Sequence, residues 1–389
     1  MIASPLANQG QPNIRRPSKW AYVFLLADVD AEKPFYRGLL YNILVSAYVL
    51  TLNRNSVPST KAEIVVLVQM AATSKESTLP LPEEDFLKRM NVHVRYIDKK
   101  ENNSPSSTFY QLVLAKFEVF KLTEYSRVLF LDSDVLPLCN LDYLLDLSEK
   151  GVLKETVLHA MYEDPVNAGM FVITPKPGYY EEIQSIIQKH GIPSKENWNP
   201  KVGWGDESVE YRLWNSKQGS GWDFYCADAD QGLLLYWARF FRQDVSIIVG
   251  DKIEHYSGTS METTSSYSLL PYSCQTPLQK GKGNRDMTFA KNAIPRAASL
   301  PVYQDFFHMV GYSKAWEMPP KEPIPLTREQ VKSSSEYWYF LLQSVMNEFD
   351  VDNIIPPLSQ LSEVIPKPRV RGDLITVGKG PVTEFGGKS

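Results

Sequence analysis

The sequence predicts an α/β protein: an open, mostly parallel mixed sheet flanked by helices, followed by a C-terminal helix and a tail. Three observations predict it. Ile64–Val68 and Val128–Leu131 are nearly continuous apolar runs rich in branched residues, as strands covered on both faces must be. Segments whose apolar residues recur three and four apart lie between such runs, which is the helical period. The strand–helix alternation then repeats, and right-handed crossovers place such units in a single sheet.

In order, Ala21–Leu26, Glu63–Gln69, His93–Asp98 and Arg127–Asp132 read as strands. Leu39–Leu50, Glu83–Met90 and Phe109–Leu122 read as the helices between them. After Pro137 the pattern is less regular. Thr156–Tyr162, Gly169–Thr174 and Val245–Gly250 read as strands, and Gly178–His190 and Asp230–Phe241 as helices. Two irregular inserts intervene: 191–225, rich in Trp and Gly, and 257–301, rich in Ser, Thr and Pro. Loops this long in a compact domain are functional or mobile. Thr327–Phe349 predicts an amphipathic helix with Val331, Trp338, Leu341, Leu342, Val345 and Phe349 on one face, and Thr327 with Gln330 resembles a capping box. The expected division is an N-terminal extension (1–18), a main domain (19–316), a helical extension (317–352) and an extended or disordered tail (353–389).

Composition narrows the function. The 389 residues carry 41 basic and 45 acidic side chains, a net charge of −4, so the basic excess of a nucleic-acid-binding surface is missing. Three cysteines, Cys139, Cys226 and Cys274, give neither a disulfide framework nor metal-ligand spacing, which fits a reducing compartment. Residues 1–18 hold no apolar run of signal-peptide type. The apolar stretch 38–52 is interrupted by Tyr41, Asn42 and Ser46 and is too short to cross a bilayer. The Asn-x-Ser sequon at Asn102 carries little weight without a signal peptide. The expectation is a soluble, cytoplasmic protein with no transmembrane segment.

The stretch that carries chemistry is Arg127-Val-Leu-Phe-Leu-Asp132-Ser133-Asp134. An apolar strand ends abruptly in two carboxylates separated by one residue. In an open α/β sheet, ligands bind in the crevice outside the carboxyl ends of the strands. Two aspartates there, with Ser133 facing the other way, can both reach one hard divalent cation. The competing reading is an ordinary Asp/Ser turn.

The segment Leu114–Asp134 closely resembles the helix–strand–Asp-x-Asp segment of glycogenin-like family 8 retaining glycosyltransferases, which have a GT-A fold, a Rossmann-like sheet. Asn167-Ala-Gly169, Asp230-Gln231-Gly232-Leu-Leu and His308-Met-Val-Gly311-Tyr-Ser-Lys314-Ala-Trp316 resemble further elements of the family, in its order. The resemblance spans about Trp20 to Trp316. It implies Mn2+, with Mg2+ as a substitute, on Asp132, Asp134 and His308, an oxygen–nitrogen donor set that suits manganese. It implies a donor site formed by Ala27, Asp28, Tyr36 (or Phe35), Arg37, Lys116, Ser133, Asn167, Gly169, Gly311 and Lys314. The catalytic group it implies is Asp230 and Gln231 at the donor sugar, with Lys116 as a nearby cation; Asp228 is a weaker neighbour. Taken alone, each of these residues has a plain structural reading: a core histidine, a solvated lysine, a turn, a helix N-terminus. Ala315 stands where the family has proline, and the region of glycogenin that carries its self-glucosylated tyrosine has no counterpart.

The function this implies is an Mn-dependent retaining hexosyltransferase. It moves glucose, galactose or N-acetylglucosamine from a UDP-sugar to a hydroxyl acceptor (glycan, protein or small polyol) and forms an α-linkage. Homodimers are common in the family. The rival readings are a catalytically weak glycan-binding scaffold and, lower, a sugar nucleotidyltransferase, whose basic Gly-rich first loop is replaced here by the acidic Ala27-Asp-Val-Asp30. Trp198, Trp204, Trp214 and Trp222 of the first insert either stack on acceptor sugars or pack the insert onto the body.

Overall fold

A computed structural model describes residues 19–51, 60–99, 112–161, 164–191, 198–205, 208–213, 217–270, 305–309, 314–317, 324–325, 331, 333–351 and 354–361. Outside these lie the extension 1–18, most of the tail, Asn102, Trp214, Cys274, Gly311, and the Thr327 and Gln330 pair.

The first half alternates as its periodicity predicts: β1 (Trp20–Val29), α1 (Arg37–Thr51), β2 (Glu63–Met70), α2 (Leu81–Arg89) and β3 (Val92–Ile97). A 3-10 helix over Ala115–Lys121 then leads into β4 (Arg127–Asp132) and the short β5 (Val135–Pro137). Next come α3 (Asp142–Glu149), β6 (Val157–His159), β7 (Met170–Ile173), α4 (Tyr179–His190) and the small hairpin β8 (Glu210–Arg212) and β9 (Gln218–Ser220). Helix α5 (Asp230–Leu235) continues as a π-helical turn (Tyr236–Phe241) into β10 (Asp244–Val249). The last elements used below are β11 (Lys252–Ser257), β12 (Ser260–Ser265), β13 (Phe306–His308) and α6 (Ser334–Glu348).

Among the described residues, nine strands form one sheet in the order β12-β11-β10-β6-β7-β4-β1-β2-β3. From β3 to β10 every strand but β7 runs the same way, since β1 is parallel to β2 and β4, β2 to β3, and β6 to β10, while β7 opposes both β4 and β6. This is the open, mainly parallel α/β sheet the alternation predicts. The pleat divides β1 between two cores. Tyr22, Phe24 and Leu26 join the layer of α1 and α6, and Ala21, Val23 and Leu25 join the layer containing Phe117 and Trp237.

Four expectations change. The start of the insert read as irregular over 257–301 is regular: β12, with the preceding β11, forms an antiparallel hairpin that widens the sheet. All six residues of β12 are exposed, so no alternation of apolar and polar residues marks it in the sequence. The segment read as a helix over 109–122 is a 3-10 helix in its C-terminal half, 115–121, and its first residues, 109–111, lie outside the described residues. Helix α6 starts at Ser333, whose hydroxyl accepts the Glu336 N–H at 3.1 Å, an N-cap six residues beyond the one the sequence suggests. Cys139 is disulfide-bonded, and Cys226 is free, so the cysteine count no longer argues for a reducing compartment.

The first insert packs onto the body. Trp204 and Trp222 are fully buried, the Trp204 indole donates to the Ala227 carbonyl at 2.8 Å, and Trp198 meets Trp204 edge-on at 5.9 Å. Among the described residues, no helix is long and apolar enough to cross a membrane.

Candidate active site at the carboxyl edge of the sheet

Strand β4 pairs with β1 through Leu25 and Asp132, so the first acidic residue emerges at the carboxyl edge of two adjacent parallel strands. The Asp132 N–H donates to the Gly169 carbonyl at 2.8 Å, and the chain then turns through Ser133 into β5. Strand β13 pairs antiparallel with β5, setting His308 opposite Val135, and the Met309 N–H donates to the Asp134 carbonyl at 2.9 Å. This two-stranded sheet brings a histidine from far downstream to the acidic turn. His308 Nε2 lies 3.3 Å from Asp134 Oδ1. A carboxylate oxygen from each aspartate and a ring nitrogen of His308 all lie within 4.8 Å of one another.

The surroundings fit a hard divalent cation on these three residues. Gly169 leaves the imidazole its place, because a Cβ there would sit 2.3 Å from His308 Cε1. His308 Nδ1 is buried with no hydrogen-bond partner among the described residues, so none of them commits the ring to the fold through that nitrogen.

Two lysines hold the carboxylates. Lys314 donates to Asp134 and to the Met309 carbonyl. Burial pushes the Asp134 carboxyl up, but Lys314 and His308 outweigh it and hold it well below the usual carboxylate range. Lys116 is only 3% exposed. Its ammonium reaches Asp132 at 3.0 Å, Asp230 at 2.5 Å and the Ala168 carbonyl at 3.2 Å. Burial opposes the charge on Lys116, yet the Asp132 and Asp230 carboxylates raise its pKa above the ordinary lysine value. At Asp132 burial wins, and the carboxyl is raised above its ordinary value despite Lys116. Three carboxylates facing two ammonium groups leave one net negative charge, which a dication would reverse ahead of a diphosphate.

Beyond Lys116 the hydrogen bonds continue into the remaining predicted residues. The Asn167 amide donates to the Gln231 side-chain carbonyl at 3.0 Å and accepts the Gly169 N–H at 2.9 Å. Gln231 in turn donates to the Tyr225 carbonyl at 2.5 Å. Asp230 and Gln231 open α5, both buried, and Asp228 lies half-buried just before them. The structure thus brings together Asp132, Asp134, His308, Lys116, Lys314, Asn167, Gly169, Asp230 and Gln231.

The front of the site is arranged differently from the sequence reading. A register shift between Leu26 and Val29 lifts Ala27 and Asp28 out of the ladder, with Asp28 in the left-handed region at φ 57° and exposed. Tyr36 is buried and donates to Glu83 at 2.8 Å, while Arg37 Nε donates to the same carboxylate at 3.3 Å. Arg37 is half-buried, and Phe35, the alternative the sequence offered for Tyr36, is 49% exposed. Ser133 is half-buried and its carbonyl accepts from the Asn42 amide at 2.9 Å. Glu83 and Asn42 went unrecognised. The signal for Glu83 was an acid among the apolar positions of α2, and for Asn42 a polar residue inside an otherwise apolar helix.

With this geometry in place, the comparisons with known proteins can be read. Residues 37–201, which contain the acidic turn, match the family described as Glycosyl transferase family 8. Over those residues the chain is similar to glycosyltransferase family 8. The chain is also similar to human glycogenin-1, 30% identical over 80 residues that cover 21% of this chain and 22% of that protein. It is also similar to galactinol synthase 1 of Solanum lycopersicum, 26% identical over 100 residues covering 21% and 31%. The matched region therefore spans less than a third of either relative. Among solved structures, the glycosyltransferase GlyE of Streptococcus pneumoniae TIGR4 aligns over 87% of this chain and 66% of its own, at 16% identity and a TM-score of 0.41. The galactosyltransferase LgtC, solved with donor and acceptor sugar analogues, aligns over 46% and 66%, at 17% identity and a TM-score of 0.30.

Proposed function

We propose that the protein is a metal-dependent, retaining glycosyltransferase that transfers a hexose from a UDP-sugar to a hydroxyl acceptor with an α-linkage, using Mn2+ on Asp132, Asp134 and His308. The observation that carries this reading is the convergence of those three donors at the carboxyl edge of β4, wired through Lys116 to Asp230. A cation held there supplies charge neutralisation for a departing diphosphate.

The chain's own residues supply the rest. Lys314, now on Asp134, is the point charge that can turn to a phosphate oxygen once Asp134 has another counterion. Asp230 and Gln231 present a carboxylate and an amide toward the sugar hydroxyls, and Asn167 keeps the Gln231 side chain oriented. Lys116 fixes Asp230 against the acidic turn, so sugar site and diphosphate site move as one unit. With its Oδ2 committed to Lys116, Asp230 is better placed as an orienting group than as a covalent nucleophile, which favours attack by the acceptor from the leaving-group face. Phe35 is the aromatic surface available for a nucleobase beside Ala27 and Asp28.

The test is Mn2+-dependent UDP release from a panel of UDP-hexoses. Asp132→Asn and Asp134→Asn are expected to abolish both transfer and donor hydrolysis, and calorimetry is expected to give UDP binding that needs Mn2+. Full turnover in the presence of EDTA, or UDP affinity indifferent to metal, would overturn the proposal.

A further inference from the structure

We propose that Asn42 is a positioning residue for the Asp132–Asp134 turn, and that α6 supports the metal site through Trp338. This rests on the transferase reading above and adds to it a residue and an element that its motifs do not include.

Asn42 lies in the middle of α1, with none of its surface exposed. A buried amide must be satisfied or it costs stability, and this one is satisfied by three separate groups. Its Nδ2 donates to the Ser133 carbonyl at 2.9 Å and to the Val135 carbonyl at 3.0 Å. Those two carbonyls flank Asp134, so one side chain clamps the backbone on both sides of a metal-binding aspartate. Its Oδ1 accepts from the Trp338 indole N–H at 3.1 Å, which fixes which way the amide faces. Both Trp338 and Asn42 are fully buried, so water does not substitute for either bond.

The same face of α1 carries a second connection. Gly38 and Ser46 stand four residues either side of Asn42 and therefore share its face. A Cβ on Gly38 would meet the Trp316 ring at 2.3 Å, so that glycine exists to receive Trp316. Trp316 packs on Trp338 with ring centroids 5.8 Å apart and follows Lys314 by two residues. Ser46 donates to the Val135 carbonyl at 3.4 Å. Helix α6 thereby reaches both sides of Asp134: its backbone through Trp338 and Asn42, and its ammonium partner through Trp338 and Trp316. Helix α6 lies outside the family match at residues 37–201, so the support for a shared motif comes from a part of the chain that the motif does not include.

Outer-shell hydrogen bonds of this kind tune metal affinity about 10–100-fold. Asn42→Leu keeps the shape and deletes every bond, and is expected to weaken Mn2+ binding in the presence of UDP by about that factor. Trp338→Phe keeps an aromatic ring but removes the donor together with part of the buried indole, and is expected to shift the Mn2+ Kd in the same direction by a smaller factor. Both are read by electron paramagnetic resonance of free Mn2+ on the full-length protein, beside the thermal midpoint of the metal-free chain. The activation constant for Mn2+ is expected to rise while turnover recovers at saturating Mn2+, a split that general loss of folded protein does not produce. Should Asn42→Leu fail to fold, Trp338→Phe decides alone. A wild-type Mn2+ Kd in every variant that folds overturns this inference and leaves the transferase reading intact. A wild-type protein that binds no Mn2+ with UDP overturns both.

Discussion

Replacing Lys116 with methionine removes one positive charge from an enclosed part of the site, together with its hydrogen bond to the Ala168 carbonyl. The stem lies over the Phe130 ring, with Nζ 5.5 Å from its centroid, and a methionine can fill that space. The loss is electrostatic: Asp132 and Asp230 both face the ammonium, at 3.0 and 2.5 Å, and without it two carboxylates confront each other where water is scarce. Removing one partner of a buried ion pair costs about 3–5 kcal/mol, because the other partner stays buried and unpaired. The pH dependence has a definite sign. Burial already raises the Asp132 carboxyl with Lys116 present, and Lys116→Met raises it further. A carboxylate whose folded pKa lies above its unfolded value costs stability at high pH, and protonation relieves that cost as pH falls through the folded value. The deficit of Lys116→Met relative to wild type is therefore expected to be about 3–5 kcal/mol at pH 8 and smaller at pH 5, measured by urea unfolding of the metal-free proteins. A variant within about 1 kcal/mol of wild type at pH 8, or a deficit that grows on acidification, would refute the argument that Lys116 is a buried counterion.

Three further outcomes follow from particular contacts. Gly169→Ala puts a Cβ 2.3 Å from His308 Cε1 and 2.8 Å from Asn167 Oδ1, so the ring must move; Mn2+ affinity is expected to fall about 10–100-fold with the fold intact, and an unchanged Kd would count against His308 as a ligand. Burial, with His308 adding to it, pulls the His159 imidazole down to about 3, so His159 stays neutral in the fold while the unfolded chain takes up a proton. Stability is then expected to fall by up to about 1.4 kcal/mol per pH unit between about pH 6.5 and 3, and His159→Leu to flatten that slope in urea titrations. Trp222→Ala is expected to cost about 3–5 kcal/mol of unfolding free energy, whereas Tyr225→Ala, on a side chain 66% exposed, is expected to stay within about 0.5 kcal/mol; a silent Trp222→Ala would mean that the insert does not pack as described.

Much of the parallel half of the sheet was legible because β2 and β4 are buried on both faces and carry uninterrupted apolar runs, whereas the edge strand β3 is partly exposed. Val128–Leu131 reads as a strand for the same reason that it delivers Asp132 to the carboxyl edge. The helices α1, α2 and α4 announced themselves through their period. Strand β12 did not, since all of its side chains face solvent, and neither did β5 or β13, which are too short to show any period. The missed N-cap of α6 has a simpler cause: Ser, Thr and Glu are frequent enough just ahead of an apolar run that more than one capping pattern fits it.

The sequence by itself therefore determined the sheet's central order of strand and helix, the pair of acids at the end of β4, and the identity of the groups that could accompany them. Only the tertiary structure decided which of those groups meet. His308 reaches Asp134 through the pairing of β13 with β5, Lys116 turns inward to join Asp132 and Asp230, and Tyr36 and Arg37 close on Glu83. The reason is the range of the forces involved. Burial of apolar surface is written residue by residue in the local pattern, whereas a contact between residues far apart along the chain is selected by how whole elements pack and by the need to give every buried charge and amide a partner.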